Sequence, residues 1–219
     1  MAGVDFAYVQ IRTRFFDEQL VEAVSAGCRQ VVLLAAGLDA RAFRLPWPNG
    51  TKIFEVDLPQ TLDFKETVVA ARGATLRCRR TTVPTDLRGD WGSTLAAAGH
   101  RPDRPTAWLA EGLQPYLDDH AYERVLHDLQ SLTAHGSRLA LDNYDRSRRQ
   151  AMLEALHCSG PTDRVMAAWQ SEGGKDPVAA LASHGWEAQT YSPSERARRY
   201  GRPSPLAWRR PSKPRATSG

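Results

Sequence analysis

Apolar residues along the chain switch between two spacings, and the switching lays out an ordered series of elements. Over residues 5 to 26, Phe6, Val9, Phe16, Leu20 and Val24 fall near one face of a helix, which Gly27 ends. Gln30 to Ala36 (QVVLLAA) is a continuous apolar run with adjacent valines, as expected of a central parallel strand buried on both faces. Gly37 forces a turn after it. Ile53 to Val56 forms a second strand ending at Asp57, and residues 60 to 72 a crossover helix. Leu76 to Val83 is a third strand, whose Arg-rich alternation predicts a more exposed position. Thr106 to Ala110 is a fourth strand, reaching Glu111. His120 to Ala134 is strongly amphipathic, with Tyr122, Val125, Leu126, Leu129 and Leu132 on one face. Arg138 to Leu141 is a fifth strand. Helical patterning continues over 144 to 157 and 163 to 171, and Asp176 caps a further helix with Pro177 at its first position.

This β-α-β-α order predicts an α/β fold, a parallel sheet covered by helices. The chain has 219 residues, enough for one domain with a proper core. The domain is expected over 1 to 202, with residues 203 to 219 a Pro/Arg/Ser-rich tail without structure of its own. No stretch of 18 apolar residues occurs, and MAGVDFAYVQIRTRFF lacks a signal peptide's apolar segment, so no membrane association and a cytoplasmic location are expected. Cys28, Cys78 and Cys158 are odd in number and widely spaced. Reduced, buried thiols are expected rather than a disulfide framework or a zinc site. Much of the excess behind the net charge of +4 lies between Arg196 and Arg215, beside Pro and Ser, and reads as a solvated, mobile tail. No aromatic-interleaved basic motif accompanies it, so no nucleic-acid partner is expected.

In an open α/β sheet, ligands sit beyond the carboxyl ends of the strands. The first strand ends in Ala35-Ala36-Gly37-Leu38-Asp39-Ala40-Arg41. Small residues allow close approach to the backbone, but the three glycines of a pyrophosphate-binding turn are missing and Asp39 is a poor neighbour for phosphate. On its own the turn is equally a plain strand-to-helix connection. Glu55 and Asp57 end the second strand on one side of it, so that one can accept from ribose hydroxyls while the other supports it. Asp86, followed by Leu87, can accept from an adenine amino group while the next backbone N–H donates to a ring nitrogen. Glu111 can hold an ammonium group. Adenine, ribose and an amino group without phosphate describe S-adenosylmethionine. His100, His120, His127 and His135 form no recognisable general-base arrangement, and no base is assigned.

The segments RTRFFD, VVLLAAGLDARAFRLPWP, FEVDLP, TDLR, PTAWLAEGLQPYL and GSRLALD, in this order, resemble the leucine carboxyl methyltransferase-like family, in particular its bacterial branch of S-adenosylmethionine-dependent methyltransferases. The resemblance runs from Arg12 to the HGW at 184–186 and toward the YGR at 200–202. It implies a Rossmann-like class I methyltransferase fold with S-adenosyl-L-methionine as cofactor. By that resemblance Arg14 pairs with the methionine carboxylate, Gly37 admits the cofactor, Asp57 binds the ribose with Glu55 beside it, Asp86 and Leu87 hold the adenine, and Glu111 sits near the amino group. It implies O-methylation of a small-molecule acceptor, a carboxylate being one that needs no base. The sequence also departs from the family. Only eleven residues precede Arg12, where members carry a longer helical segment, and the Pro-Arg-Ser-rich end stands where members close with another strand. These departures leave open a truncated, non-catalytic module, or a site completed by self-association, and the oligomeric state is not set by the sequence. A nicotinamide-dependent oxidoreductase is disfavoured by the missing glycines.

Overall fold

The computed structural model describes residues 6–143, 169–171 and 176–204. Five parallel strands form one sheet: β1 (Gln30–Leu34), β2 (Lys52–Asp57), β3 (Arg79–Pro84), β4 (Thr106–Ala110) and β5 (Arg138–Leu141), in the order β3-β2-β1-β4-β5. The chain runs outward from β1 through β2 to β3, then returns to place β4 on the other side of β1. Register pairs Val32 with Phe54 and with Trp108, so the central rows are continuous.

Every residue of β1 and β4 is buried, because helices cover both faces. On one face Val31, Leu33, Ile53, Ala107 and Leu109 pack with Phe16, Leu20, Ala23 and Val24 of α1 (Phe6–Ser25). That face also carries α2 (Arg41–Arg44) and α3 (Pro59–Ala71), the latter through the Lys65–Glu55 ion pair. On the other face Val32, Leu34, Phe54, Val56, Val83 and Trp108 pack with α4 (Trp91–Ala97) and α5 (Asp119–Ser131). Trp91 meets Trp108 edge-on at 6.4 Å between ring centroids. A short 3-10 turn, Gln114–Tyr116, joins β4 to α5.

Several boundaries move from their sequence positions for local reasons. The first strand stops at Leu34 because Ala35 takes a left-handed conformation, φ 51°. The third begins at Arg79, since Leu76 is exposed and Arg77 N–H donates to Ala42 O of α2. The amphipathic helix starts one residue earlier, capped by Asp118 accepting from Ala121 N–H, and ends at Ser131. The helix expected after Asp176 is present as α6 (Pro177–Ser183), with Asp176 accepting from Val178 N–H. Residues 169 to 171 are not helical, and Gln170 N–H donates to Pro115 O instead. The rest of the helical patterning over 144–157 and 163–168 lies outside the described residues, as do Cys158 and residues 205–219. Cys28 and Cys78 are free thiols, the first buried and the second half-buried.

One expectation is corrected outright. Arg196, placed in a mobile tail, belongs to α7 (Pro193–Arg199) and lies over the rings of Tyr191 and Phe15. The helix forms because Ser192 and Glu195 make a reciprocal capping box, with Pro193 at the first position. It packs on α1, where Tyr200 Oη donates to Glu18 at 2.7 Å.

Among the described residues no helix is long and apolar enough to cross a membrane. Nor does any group of three or more His, Cys, Asp or Glu side chains among them suit a metal ion.

Candidate functional site

The order β3-β2-β1-β4-β5 reverses direction between β1 and β4, and the crevice beyond their carboxyl ends is the switch point where ligands of such sheets bind. Gly37 follows β1 and Glu111 follows β4, so both stand at this crevice. Asp57 ends β2 next door, and Asp86 follows β3.

Asp57 is fixed by the backbone. Its Oδ2 accepts from Gly37 N–H at 2.7 Å and its Oδ1 from Leu58 N–H at 2.7 Å. Its carbonyl accepts from Thr85 N–H, tying the loop after β3 to the end of β2. Gly37 has φ 47°, a conformation that favours glycine, and no side chain fills the space above it. Asp39 turns back on its own segment. It accepts from Arg41 N–H at 2.7 Å and pairs with the Arg41 guanidinium. Two of the turn's N–H groups are thus already given to carboxylates, which leaves no convergent donor cradle of the kind a phosphate needs.

Arg41, 2% exposed, is the centre of a charge network. Its Nε donates to Asp17 Oδ1 at 2.7 Å and its Nη2 lies 2.8 Å from Glu111 Oε2. Glu111 has a second guanidinium on its other oxygen, Arg12 Nε at 2.8 Å. Arg12 continues to Asp142 Oδ2 at 3.0 Å, and Asp142 Oδ1 accepts from Gly112 N–H at 2.7 Å. Burial alone would lower the Arg41 pKa, but Asp39, Glu111 and Asp17 outweigh it, and the pKa is raised. The guanidinium therefore stays charged.

The other expected site residues are placed as follows. Glu55 has no exposed surface: its Oε2 takes Lys65 Nζ at 2.6 Å and Arg80 Nη2 at 2.7 Å. It touches no space a ligand could occupy, so a supporting role replaces direct contact. Arg14 is not brought to the crevice. Its side chain is 59% exposed, pairs with Glu18 and stacks over Tyr200. Arg12, two residues earlier on α1, stands at Glu111 instead. The signal was available: two residues are about 200° apart on a helix, so burial of Phe16 and Leu20 fixes which arginine turns inward. Asp86 is half-buried and held by Arg88, whose guanidinium hydrogen bonds hold its carboxyl below the usual range. Leu87 is buried in the core. Arg12, Arg41 and Asp142 were not singled out as site residues in the sequence. All three lie in the matched segments, but their convergence depends on tertiary placement.

His100 is no base candidate. It is buried between Phe54 and Trp108, beneath the sheet edge opposite the crevice, and burial pushes its pKa down to about 4.

Comparison with known proteins adds four findings. A family model described as "Leucine carboxyl methyltransferase" matches residues 4–130. A Streptomyces avermitilis protein provisionally named as an S-adenosyl-L-methionine-dependent methyltransferase is 46% identical over 200 residues, covering 91% of this chain and 69% of its own. A Rhodococcus jostii protein with the same provisional name is 44% identical over 200 residues, covering 89% and 68%. In fold, the chain is similar to the crystal structure of a provisionally named O-methyltransferase from Nostoc punctiforme, with TM-score 0.51 and 18% identity over 78% of this chain and 49% of that one.

Proposed function

The chain belongs to the leucine carboxyl methyltransferase family and is an S-adenosylmethionine-dependent methyltransferase, and from that premise we propose that it methylates an oxygen of a small molecule, a carboxylate being the acceptor its chemistry favours. The observation that carries the site assignment is Asp57, locked by Gly37 N–H at the switch point of a parallel sheet. The residues fit such a cofactor. Carboxylates end adjacent strands, a side-chain-free turn allows close approach, and the turn's N–H groups are spent on Asp57 and Asp39 rather than presented to a phosphate.

On this reading Asp57 receives the ribose hydroxyls. Its oxygens have lone pairs left after the two backbone donors, and those donors keep it oriented. Asp86 accepts from the adenine amino group. Its exposed pairing with Arg88 is displaced at little cost, since surface ion pairs contribute little. Glu111 receives the ammonium group, and Arg12, in place of Arg14, takes the carboxylate of the methionine part. Glu55 supports from below by anchoring β2 to Lys65 and Arg80. The cofactor, when bound, supplies a methyl group on sulfonium, already activated for transfer. The protein's task is then alignment and exclusion of water. A carboxylate acceptor is ionised at neutral pH and needs no base.

Calorimetry with S-adenosylhomocysteine tests the assignment. Binding is expected, with NAD giving none, and Asp57→Ala is expected to weaken it about tenfold or more. Absence of binding at millimolar concentration, or an Asp57→Ala variant with unchanged affinity, would overturn the reading.

A further inference from the structure

A cavity of about 460 Å³ lies between α1, β5 and the segment from α6 to α7, within the size range of small-molecule sites. One wall is a stripe of α1. Tyr8, Arg12 and Phe15 follow at intervals of four and three residues, so their side chains stack along one helix face. Arg12 and Asp142 belong both to this wall and to the charge network at Glu111. The cavity therefore opens directly beside the proposed position of the cofactor's methionine part.

The opposite wall brings Trp186, Tyr191 and Arg196. Arg196 is half-buried, with its guanidinium carbon 3.9 Å from the Tyr191 ring centroid and 5.2 Å from that of Phe15. Among the described residues it has no ion pair, unlike Arg12 and Arg41. The capping box at Ser192 fixes the helix that carries it, and the two rings lie beside its guanidinium. Arg12 sits about one helical turn along α1 from Phe15. A cation with no ion pair among the described residues, lying over a pair of contacting aromatic rings one turn along α1 from Arg12, is an anchor for a planar anion.

We propose that this cavity is the acceptor pocket and that the acceptor is an aromatic organic acid, its carboxylate, the group that takes the methyl, held by Arg196 on the side that faces Arg12, and its body lying along Tyr8, Phe15 and Trp186. The inference rests on the proposed cofactor position at Arg12 and Glu111. It specifies the substrate class through a residue outside that position.

The test is isothermal titration of the whole chain with 3-phenylpropionate and its uncharged counterpart 3-phenylpropionamide, each with and without S-adenosylhomocysteine. The carboxylate is expected to bind about tenfold or more tightly than the amide. Arg196→Gln should erase that preference, while Arg199→Gln, an exposed charge on the same helix, should retain it. Thermal unfolding checks that both variants are folded. Equal binding of acid and amide, no binding of either, or a preference that survives Arg196→Gln overturns the pocket. If S-adenosylhomocysteine binds while the preference is absent, this inference alone falls. If the preference is present while S-adenosylhomocysteine does not bind, the anion site stands and the cofactor assignment falls.

Discussion

Arg12 and Arg14 differ by two positions and have opposite surroundings. Arg12 faces Glu111 and Asp142, whereas Arg14 faces Glu18 and solvent. Arg12→Ala removes a cation that two carboxylates share, so S-adenosylhomocysteine affinity is expected to fall about tenfold or more. Arg14→Ala should change it by less than about twofold, because an exposed i,i+4 pair contributes only a few tenths of a kcal/mol. Titration of the two variants side by side distinguishes them, and the reverse ranking would return the role to Arg14. The residue scale is where the sequence was least sufficient. The RTRFFD segment located α1 and its chemistry, but the choice between two arginines depends on helix phase. That phase is set by Phe16, Leu20 and Val24 entering the core. Glu55 failed for a related reason. Strand alternation correctly put it on the same side as Asp57, yet Lys65 and Arg80, which cover it, arrive from α3 and β3.

At the scale of elements, the five strands and helices α1, α3 and α5 were legible because each has an apolar pattern of its own, and α6 through its Asp176–Pro177 start. Three helices escaped: α2, four residues long with no side-chain cap, and α4 and α7, which carry readable signals. Asp90 caps α4, accepting from Ser93 N–H, and Ser192 with Glu195 boxes α7. Both are only seven residues long, too short to show a periodic face. The Glu55 cluster is what joins elements: one buried carboxylate ties β2 to α3 and β3. Glu55→Ala would leave Lys65 and Arg80 without that carboxylate in a largely buried setting. A loss of about 3 kcal/mol or more is expected in urea unfolding. In the milder Glu55→Gln, S-adenosylhomocysteine affinity should stay within about threefold, since the side chain touches no ligand. A large affinity loss with unchanged stability would show direct contact after all.

The whole molecule carries a pH dependence from the far side of the sheet. His100 is buried, its Nε2 near Thr106 Oγ1 at 3.1 Å and its Nδ1 without a partner. Burial lowers its pKa from 6.5 to about 4. Between those values the unfolded chain binds a proton that the folded chain refuses, so stability falls as pH drops through that window and is unaffected above it. The contribution is on the order of 2 kcal/mol between pH 7 and pH 4.5. Urea midpoints for the native protein and His100→Gln, measured at both pH values, should converge on acidification. Parallel curves would remove His100 as the cause.

Arg41 joins three stretches that are far apart in the chain: Asp17 on α1, Asp39 in the turn after β1, and Glu111 after β4. Arg12 adds a second bond from α1 to that same Glu111. The middle of α1 therefore cannot lift from the sheet one turn at a time, because both guanidinium joints must break together. Its amides should exchange with deuterium as a block at one common rate. A molecule bound in the crevice between β1 and β4 would slow that whole block, including turns of the helix that it never touches.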